Sequence, residues 1–438
     1  MVGLPGVGKS TLARKAVADF NSLVFTCPPL PAPAQCVALA SRIGNDPASP
    51  HPPADWQSVF HAVLRAARTT SQPWVLVLDD AHRLSEARAR FLPALFEVLN
   101  EAREDAVPVH VLLVGPETGL PDEKTLIEGG PTTTIRVGPL PLRAAAPHLP
   151  GSEASEKVRA YGVFGGIPRV LGSLDTSVNV GTNVRRLMLS DEGPLASAPL
   201  AWLEGEVQTP TRYLAILRAL ADGPADWATI HAGVPDLTRG GQVAPYLKRL
   251  GELGMLETRT PLDAHSRSRT TRYSLTDPFL AFWLRFVLPW RMGEQRHTYP
   301  VPMREHYADA IRPKISPYLE SVMPRVAQQH MQHDAIETLG TNARECGSLW
   351  GQQYDLPVAG ILASGAAFYG KCFWRSPASE EDPLAALDSE IRETRYGFGR
   401  ERRLRLCFTG RTAPTWLRRQ VARRSDAELI DAGALLGE

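Results

Sequence analysis

A glycine-rich motif near the start of the chain constrains the fold more than any other feature. The stretch Gly3-Leu4-Pro5-Gly6-Val7-Gly8-Lys9-Ser10 fits Gly-x-x-x-x-Gly-Lys-[Ser/Thr] at every defined position. The glycines let the backbone turn tightly, so that consecutive amide groups point at phosphate oxygens, and the following helix adds its positive N-terminal end. The alternative is a glycine-rich helix start that binds no ligand. The residues expected to bind nucleotide phosphates are Gly3, Gly6, Gly8, Lys9, Ser10 and Thr11.

A second motif, Trp74-Val75-Leu76-Val77-Leu78-Asp79-Asp80, is a continuous apolar run that ends in two carboxylates. Buried parallel strands have this composition, and their carboxyl ends face the ligand crevice. We expect Asp79 and the Ser10 hydroxyl to hold Mg²⁺, Lys9 to reach the β- and γ-phosphates, and Asp80 to act as the general base on an attacking water. An apolar strand that ends in a solvated acidic turn is the alternative.

Four apolar runs, alternating with helical stretches, predict a parallel sheet over the first 140 residues. The run ending at Val114 leads to Thr118, a candidate sensor of the γ-phosphate, although ordinary loop polarity also explains it. Only Met1 and Val2 precede the phosphate loop, where a central strand is expected. We therefore expect an upstream segment, from a misassigned start codon or a fragment, to supply that strand. The predicted strands are Leu23–Thr26, Trp74–Leu78, Val109–Val114 and Thr134–Val137.

The composition excludes several other classes of protein. The chain has 438 residues, of which 43% are hydrophobic and 22% charged, with a net charge of +1. These values are ordinary for a globular protein and argue against nucleic-acid binding through overall charge, although a local basic face is compatible with them. The five cysteines lack Cys-x-x-Cys spacing, which disfavours both a zinc site and a secreted disulfide framework. No apolar run reaches the ~18 residues of a membrane span, so we expect a reduced, cytoplasmic protein.

Four stretches together resemble the archaeal-type ATPases, a branch of the AAA+-like signal-transduction (STAND) NTPases. They are the phosphate loop, Asp79–Leu84, Gly165–Arg169 and Tyr273–Val287. The resemblance implies ATP and Mg²⁺ as ligands, and Gly166 and Pro168 in a lid turn that senses the nucleotide. A helix end followed by a proline-started helix is the alternative explanation of that turn. The implied organisation is an α/β P-loop core (1–140), a helical lid (141–205), an α+β winged helix (206–290) and an α/β endonuclease-like domain (291–438).

Within the winged helix, the third helix and a basic hairpin tip are the candidate nucleic-acid contacts. A winged helix places its third helix in the major groove and its wing on phosphates. The alternative is that this module docks only against protein. The candidate contacts are Lys248, Arg249, Arg267, Arg269 and Arg272.

The nuclease-like domain lacks the residues that cleavage needs. The resembling family carries Glu-x-Asp and then Glu-x-Lys-Trp on neighbouring strands, whereas this chain has Gln353-Tyr354-Asp355 and Lys371-Cys372-Phe373-Trp374. A cation at a ligand position repels Mg²⁺, and one carboxylate rarely holds it alone. We therefore expect a degenerate site at Asp355, Lys371 and Phe373; a misaligned, diverged site is the alternative.

The sequence thus predicts a slow, Mg-ATP-dependent switch ATPase that acts on an unknown protein partner. DNA contact would come through the winged helix and the basic region from Arg400 to Arg424. The alternative is a DNA-binding module with a vestigial ATPase core. An active, ATP-gated nuclease is disfavoured by Lys371 and Phe373.

Overall fold

The computed structural model divides the chain into two compact units. One comprises Met1–Gly138 with Glu252–Gly254, and the other comprises Pro139–Gly251 with Met255–Glu438. The structure describes residues 1–43, 55–117, 120–204, 207–234, 243–264, 271–293, 301–375, 377–378, 382–400 and 402–438, without the side chains of 85–89.

The first unit is built on a parallel sheet in the order β1-β2-β3. The apolar run of β2 is central and buried, as its composition predicts, and its last residue Asp79 pairs in register with Thr26 of β1 and Val114 of β3. Helices α3 and α4 pack together through an aromatic cluster. The elements are α1 Lys9–Ala16, β1 Asn21–Thr26, α2 Ala32–Ile43, α3 Trp56–Arg68, β2 Trp74–Asp79, a 3₁₀ turn Ala81–Ala87, α4 Arg88–Glu104, β3 Val109–Val114 and α5 Glu123–Ile127.

Met1 and Val2 continue this sheet beyond β3. Val2 forms parallel bridges with Gly115 on one side and with Arg136 on the other. Within the predicted strand at 134–137, which the structure describes in full, only Arg136 forms a bridge. The reason is that the neighbouring segment Met1–Val2 supplies only Val2 as a partner. The first helix ends at Ala16.

The second unit begins with short helices and a compact module of three helices and three strands. This module carries an antiparallel sheet in the order β4 (Ala225–Asp226), β6 (Arg272–Leu275) and β5 (Leu256–Arg259), in which β5 and β6 form a hairpin. The elements are α6 Leu142–Ala145, a 3₁₀ turn Ala146–His148, α7 Ala154–Phe164, α8 Pro168–Leu171, α9 Val180–Val184, a π-turn Arg185–Leu189, α10 Ala198–Glu204, α11 Pro210–Ala219, β4 Ala225–Asp226, α12 Trp227–Ala232, α13 Ala244–Glu252, β5 Leu256–Arg259 and β6 Arg272–Leu275.

The rest of the second unit is a mixed five-stranded sheet in the order β11-β10-β9-β8-β7, with the long helix α17 packed on it. Strands β7, β8 and β9 are antiparallel, whereas β10 and β11 run parallel to β9. The elements are α14 Pro278–Phe282, a π-turn Trp283–Val287, α15 Leu288–Arg291, α16 Met303–His306, a π-turn Tyr307–Ile311, α17 Arg312–His333, α18 Ala335–Leu339, β7 Ala343–Trp350, β8 Asp355–Leu362, β9 Ala367–Phe373, α19 Pro383–Glu393, β10 Arg403–Thr409, α20 Thr415–Ala422, β11 Ala427–Ile430 and α21 Ala432–Leu436.

A buried carboxylate connects the segments of the second unit. Asp277 is 1% exposed and caps α14 by accepting the Phe279 amide at 2.8 Å, while it also accepts the Gly166 amide at 2.9 Å. The Tyr318 hydroxyl on α17 lies 2.9 Å from the Gly162 carbonyl oxygen and 2.8 Å from that of Pro278. The Gly165-Gly166 turn, α14 and α17 therefore meet at one point.

All five cysteines are free thiols, of which Cys27, Cys36 and Cys407 are buried and Cys346 and Cys372 half-buried. Burial raises the pKa of Cys27, Cys346 and Cys407 to about 12 and that of Cys36 to about 11. Burial also raises the pKa of the Cys372 thiol. In the parts of the chain that the structure describes, no helix combines the length and the apolar character needed to cross a bilayer.

A close backbone approach at the phosphate loop predicts a stability effect at Gly3. A Cβ there would lie 2.1 Å from the Val137 carbonyl oxygen, at a φ of +154°. We expect Gly3→Ala to lower the free energy of unfolding by about 2–4 kcal/mol. Gly138→Ala is the matched control, because a Cβ at Gly138 meets nothing within 4 Å. Thermal unfolding of both variants checks this, and equal melting temperatures would contradict it.

The pH dependence of stability tests the Asp277 junction. Burial raises the pKa of Asp277 to about 6, even though the Gly166 and Phe279 amides and Arg325 oppose this shift. Because the folded-state pKa exceeds the unfolded value, this group stabilises the fold most below pH 4 and loses that contribution as the pH rises through 6. Subtracting the unfolding free energy of Asp277→Asn isolates this contribution. The difference should fall by about 2 kcal/mol between pH 4 and pH 7; a flat difference would argue against the junction.

Candidate nucleotide site and its surroundings

The phosphate loop of the first unit is shaped by its glycines and by Lys9. Gly6 and Gly8 have φ values of +83° and +90°, and α1 begins directly after Gly8. The Lys9 ammonium donates to the Gly3 and Leu4 carbonyl oxygens, at 2.9 Å each. Lys9 therefore lies across the concave side of the loop, from which it can turn to a phosphate group. Thr11 is exposed on the first turn of α1.

The loop and the carboxyl end of β2 are joined by a hydrogen bond. The Ser10 hydroxyl donates to the Asp79 carboxylate at 2.8 Å, across 69 residues of sequence, and Asp79 is only 5% exposed. The structure thus brings together the two residues that the sequence predicts as the metal ligands. A hydroxyl and a carboxylate beside a phosphate-binding loop are hard oxygen donors, which suit Mg²⁺.

Sequence reasoning did not single out Arg14, which also contacts this pair. Its guanidinium lies 3.7 Å from the Asp79 carboxylate. Ser10 and Arg14 are four residues apart on α1, so both face the same side of the helix. That spacing is the signal that could have identified Arg14 from the sequence. Two basic side chains, Arg14 and Arg42, line an open cleft of about 530 Å³ at the end of β1.

Asp80 has an unusual backbone conformation. Its φ is +55°, in the left-handed region, where Asp and Asn are the most readily accepted residues after glycine. Its carboxylate pairs with Arg83 at 3.0 Å and is 37% exposed. Arg83 also donates to the Cys27 carbonyl at 3.0 Å, which fixes the guanidinium beside the carboxylate.

The structure describes two of the three candidate sensors of the nucleotide, Gly166 and Pro168. Thr118 lies outside the described residues. Gly166 is held by the buried Asp277 carboxylate, and a Cβ at this position would lie 1.9 Å from the Leu140 carbonyl oxygen. Pro168 begins α8, as the proline-started helix explanation of the turn predicts. A sensing role for Gly166 and Pro168 stays a prediction.

The structure describes three of the five candidate nucleic-acid contacts. Lys248 is exposed on α13 and Arg249 is half-buried, whereas Arg267 and Arg269 lie outside the described residues. Arg272 pairs with Asp355 at 3.1 Å, and its guanidinium stacks over Trp350 at 4.7 Å. Arg272 is therefore already engaged by β7 and β8, and this engagement competes with a phosphate contact.

The predicted degenerate nuclease residues lie together at the start of β8 and the end of β9. Lys371 pairs with Glu390 of α19, and its ammonium is 3.4 Å from the Asp355 carbonyl oxygen. Glu390 was not predicted, because its position depends on how α19 packs. Phe373 is half-buried on β9. Asp355 thus pairs with Arg272, and Glu390 pairs with Lys371. Across the described residues, no group of three or more His, Cys, Asp or Glu residues could hold a metal ion.

Comparison with known proteins gives a family match that lies within the first unit. Residues 1–122 match the protein family described as an AAA domain. An uncharacterised protein of Methanocaldococcus jannaschii is 21% identical over 362 residues, which cover 80% of this chain and 76% of that protein. The Walker-type ATPase of Pyrococcus abyssi is 18% identical, with 65% of this chain and 89% of that chain covered and a TM-score of 0.47. The Orc2 protein of Aeropyrum pernix, in ADPNP–ADP complexes, is 16% identical, with 67% and 87% covered and a TM-score of 0.41.

The family match shows an AAA-type ATPase domain over residues 1–122. ATP binding and ATPase activity are the properties that this class of domain carries. The phosphate loop, β2 and the Ser10–Asp79 hydrogen bond all lie within the matched residues.

Proposed function

We propose that this protein is a slow, Mg-ATP-dependent switch ATPase. The observation that carries the proposal is the Ser10–Asp79 hydrogen bond, because it holds the phosphate loop against the end of the central strand. Burial of a carboxylate costs free energy unless the group is well paired or has a function. The presence of the buried Asp79 beside the Ser10 hydroxyl therefore argues against a decayed site.

Each residue of the site then has a distinct role. The amides of Gly6 and Gly8 and the N-terminus of α1 bind the phosphates, and Lys9 moves from the loop carbonyls to the β- and γ-phosphate oxygens. Mg²⁺, held by Ser10 and Asp79, would neutralise the charge that develops between these two phosphates.

Asp80 is the proposed general base. Its left-handed backbone turns it away from the line of β2, and the pair with Arg83 holds its carboxylate in one place. The short Asp side chain reaches less far toward an attacking water than a glutamate would, which fits slow turnover.

The response to ATP would be carried by the second unit. Asp277 ties the Gly165-Gly166 turn to α14, and Tyr318 ties both to α17. The half-buried Glu257 of β5 accepts hydrogen bonds from Arg325 of α17 and from Ser274 of β6. A displacement of the turn would therefore move the three-helix module and the C-terminal sheet with it.

We interpret residues 206–290 as a winged helix and residues 291–438 as a nuclease-like domain that no longer cleaves. The order α17-β7-β8-β9-α19-β10 and the two ion pairs Arg272–Asp355 and Lys371–Glu390 support this interpretation. The partner of the switch would be a protein, DNA, or both, through the exposed basic residues of this unit.

Removal of the Lys9 ammonium tests the nucleotide site. We expect Mg-ATP to raise the melting temperature of the unaltered chain in a saturable way. This stabilisation should disappear in Lys9→Ala, because the β- and γ-phosphates lose their contact with the Lys9 ammonium group. Lys15→Ala is the matched control, since Lys15 is exposed on the same helix. Retained stabilisation in Lys9→Ala would refute the site, and no stabilisation of any of the three proteins would favour the alternative of a DNA-binding module with a vestigial ATPase core.

Substitution of Asp80 separates binding from turnover. Asp80→Asn keeps the side-chain size and the left-handed preference but removes the base. We expect the ATP hydrolysis rate to fall by about 100-fold or more, with nucleotide affinity within a few-fold of the unaltered chain. Phosphate release under single-turnover conditions measures the first quantity, and nucleotide titration measures the second. Unchanged hydrolysis would exclude Asp80 as the base.

A further inference from the structure

An aromatic side chain is presented to solvent on the turn between α19 and β10. Phe398 is 82% exposed, which makes it the most exposed of the large apolar side chains in the described part of the chain. It stands between Gly397 and Gly399, whose φ values are +68° and +81°. The Tyr369 hydroxyl donates to the Tyr396 carbonyl at 2.6 Å just before the turn, and Arg400 donates to the Gly365 carbonyl at 2.8 Å just after it. The turn is therefore fixed on both sides while its aromatic tip stays uncovered.

The surface around Phe398 is basic. An open cleft of about 580 Å³ is lined by Phe398, Gly399, four arginines and Asp426. The Arg403 guanidinium lies 5.8 Å from the centre of the Phe398 ring. The lining arginines are Arg400, Arg402, Arg403 and Arg405.

The positive charge of this cleft is only partly neutralised. Arg405 pairs with Asp388 and Asp426, and Asp426 is shared with Arg424. Among the described residues, Arg400, Arg402 and Arg403 form no ion pair with an acidic side chain. The cleft thus combines an exposed aromatic face with a cluster of guanidinium groups.

We propose that this cleft binds single-stranded nucleic acid, with an unpaired base stacked on Phe398 and the backbone phosphates on Arg400, Arg402 and Arg403. Aromatic faces stack on any base, and arginines next to them contact the backbone, which is how single strands are bound without sequence preference. The bases of a duplex are already stacked on one another, so a duplex would meet the arginines alone. The proposal does not rest on the ATPase function proposed above, because it involves no residue of the nucleotide site.

Fluorescence anisotropy with a labelled 20-nucleotide oligothymidylate, and with the same strand in a duplex, tests the proposal on the full chain without ATP. We expect the single strand to bind more tightly than the duplex. Phe398→Ala should weaken single-strand binding by about tenfold or more, whereas Phe398→Tyr should keep the affinity. Duplex binding should be nearly the same in all three proteins.

Two control variants separate stacking from charge and from folding. Ile336→Ala removes another exposed apolar side chain, 51% exposed on α18, and should leave binding unchanged. Arg402→Gln should weaken both nucleic acids and reduce the salt dependence by about one ion. The proposal is overturned by unchanged single-strand binding in a folded Phe398→Ala protein, by equal affinity for both nucleic acids, or by polyglutamate that competes as well as oligothymidylate.

Discussion

The second unit depends on a carboxylate that has been removed from water. Asp277 loses its solvation in order to accept two backbone amides, one from the helix that it caps and one from a turn 111 residues earlier in the chain. Burial would make such a group unfavourable on its own, so the surrounding donors must be held in place for the fold to keep it. These contacts hold the Gly165-Gly166 turn, α14 and α17 together.

The phosphate loop of the first unit depends on backbone geometry. The loop after Val2 approaches the Val137 carbonyl so closely that only a hydrogen atom fits at Gly3, and the loop then turns into α1 through left-handed glycines. The same unit keeps Asp79 buried at the end of β2, where Ser10 reaches it. Two short segments of chain therefore define a site whose chemistry comes mainly from amide groups and one buried carboxylate.

The sequence was most informative where the signals are local. The phosphate loop, the apolar strand ending in Asp79 and the three helices with their hairpin could be predicted because each depends on neighbouring residues, and the AAA-domain match confirms an ATPase domain over the first 122 residues. The contacts of Asp277 with Gly166, of Glu390 with Lys371 and of Arg272 with Asp355 could not be predicted, because they join segments that come together only when the sheets and helices pack. The ladder at 134–137 was overpredicted for the related reason that strand formation needs a partner of matching length.

The buried thiols have a practical consequence for spectroscopy. Burial raises the pKa of these thiols, and only the thiolate reacts with alkylating dyes. We therefore expect the native cysteines to react slowly with such dyes in the folded chain. A pair of surface cysteines added to one unit would take up fluorophores in preference to them, so the distance between the two dyes could be followed during nucleotide binding.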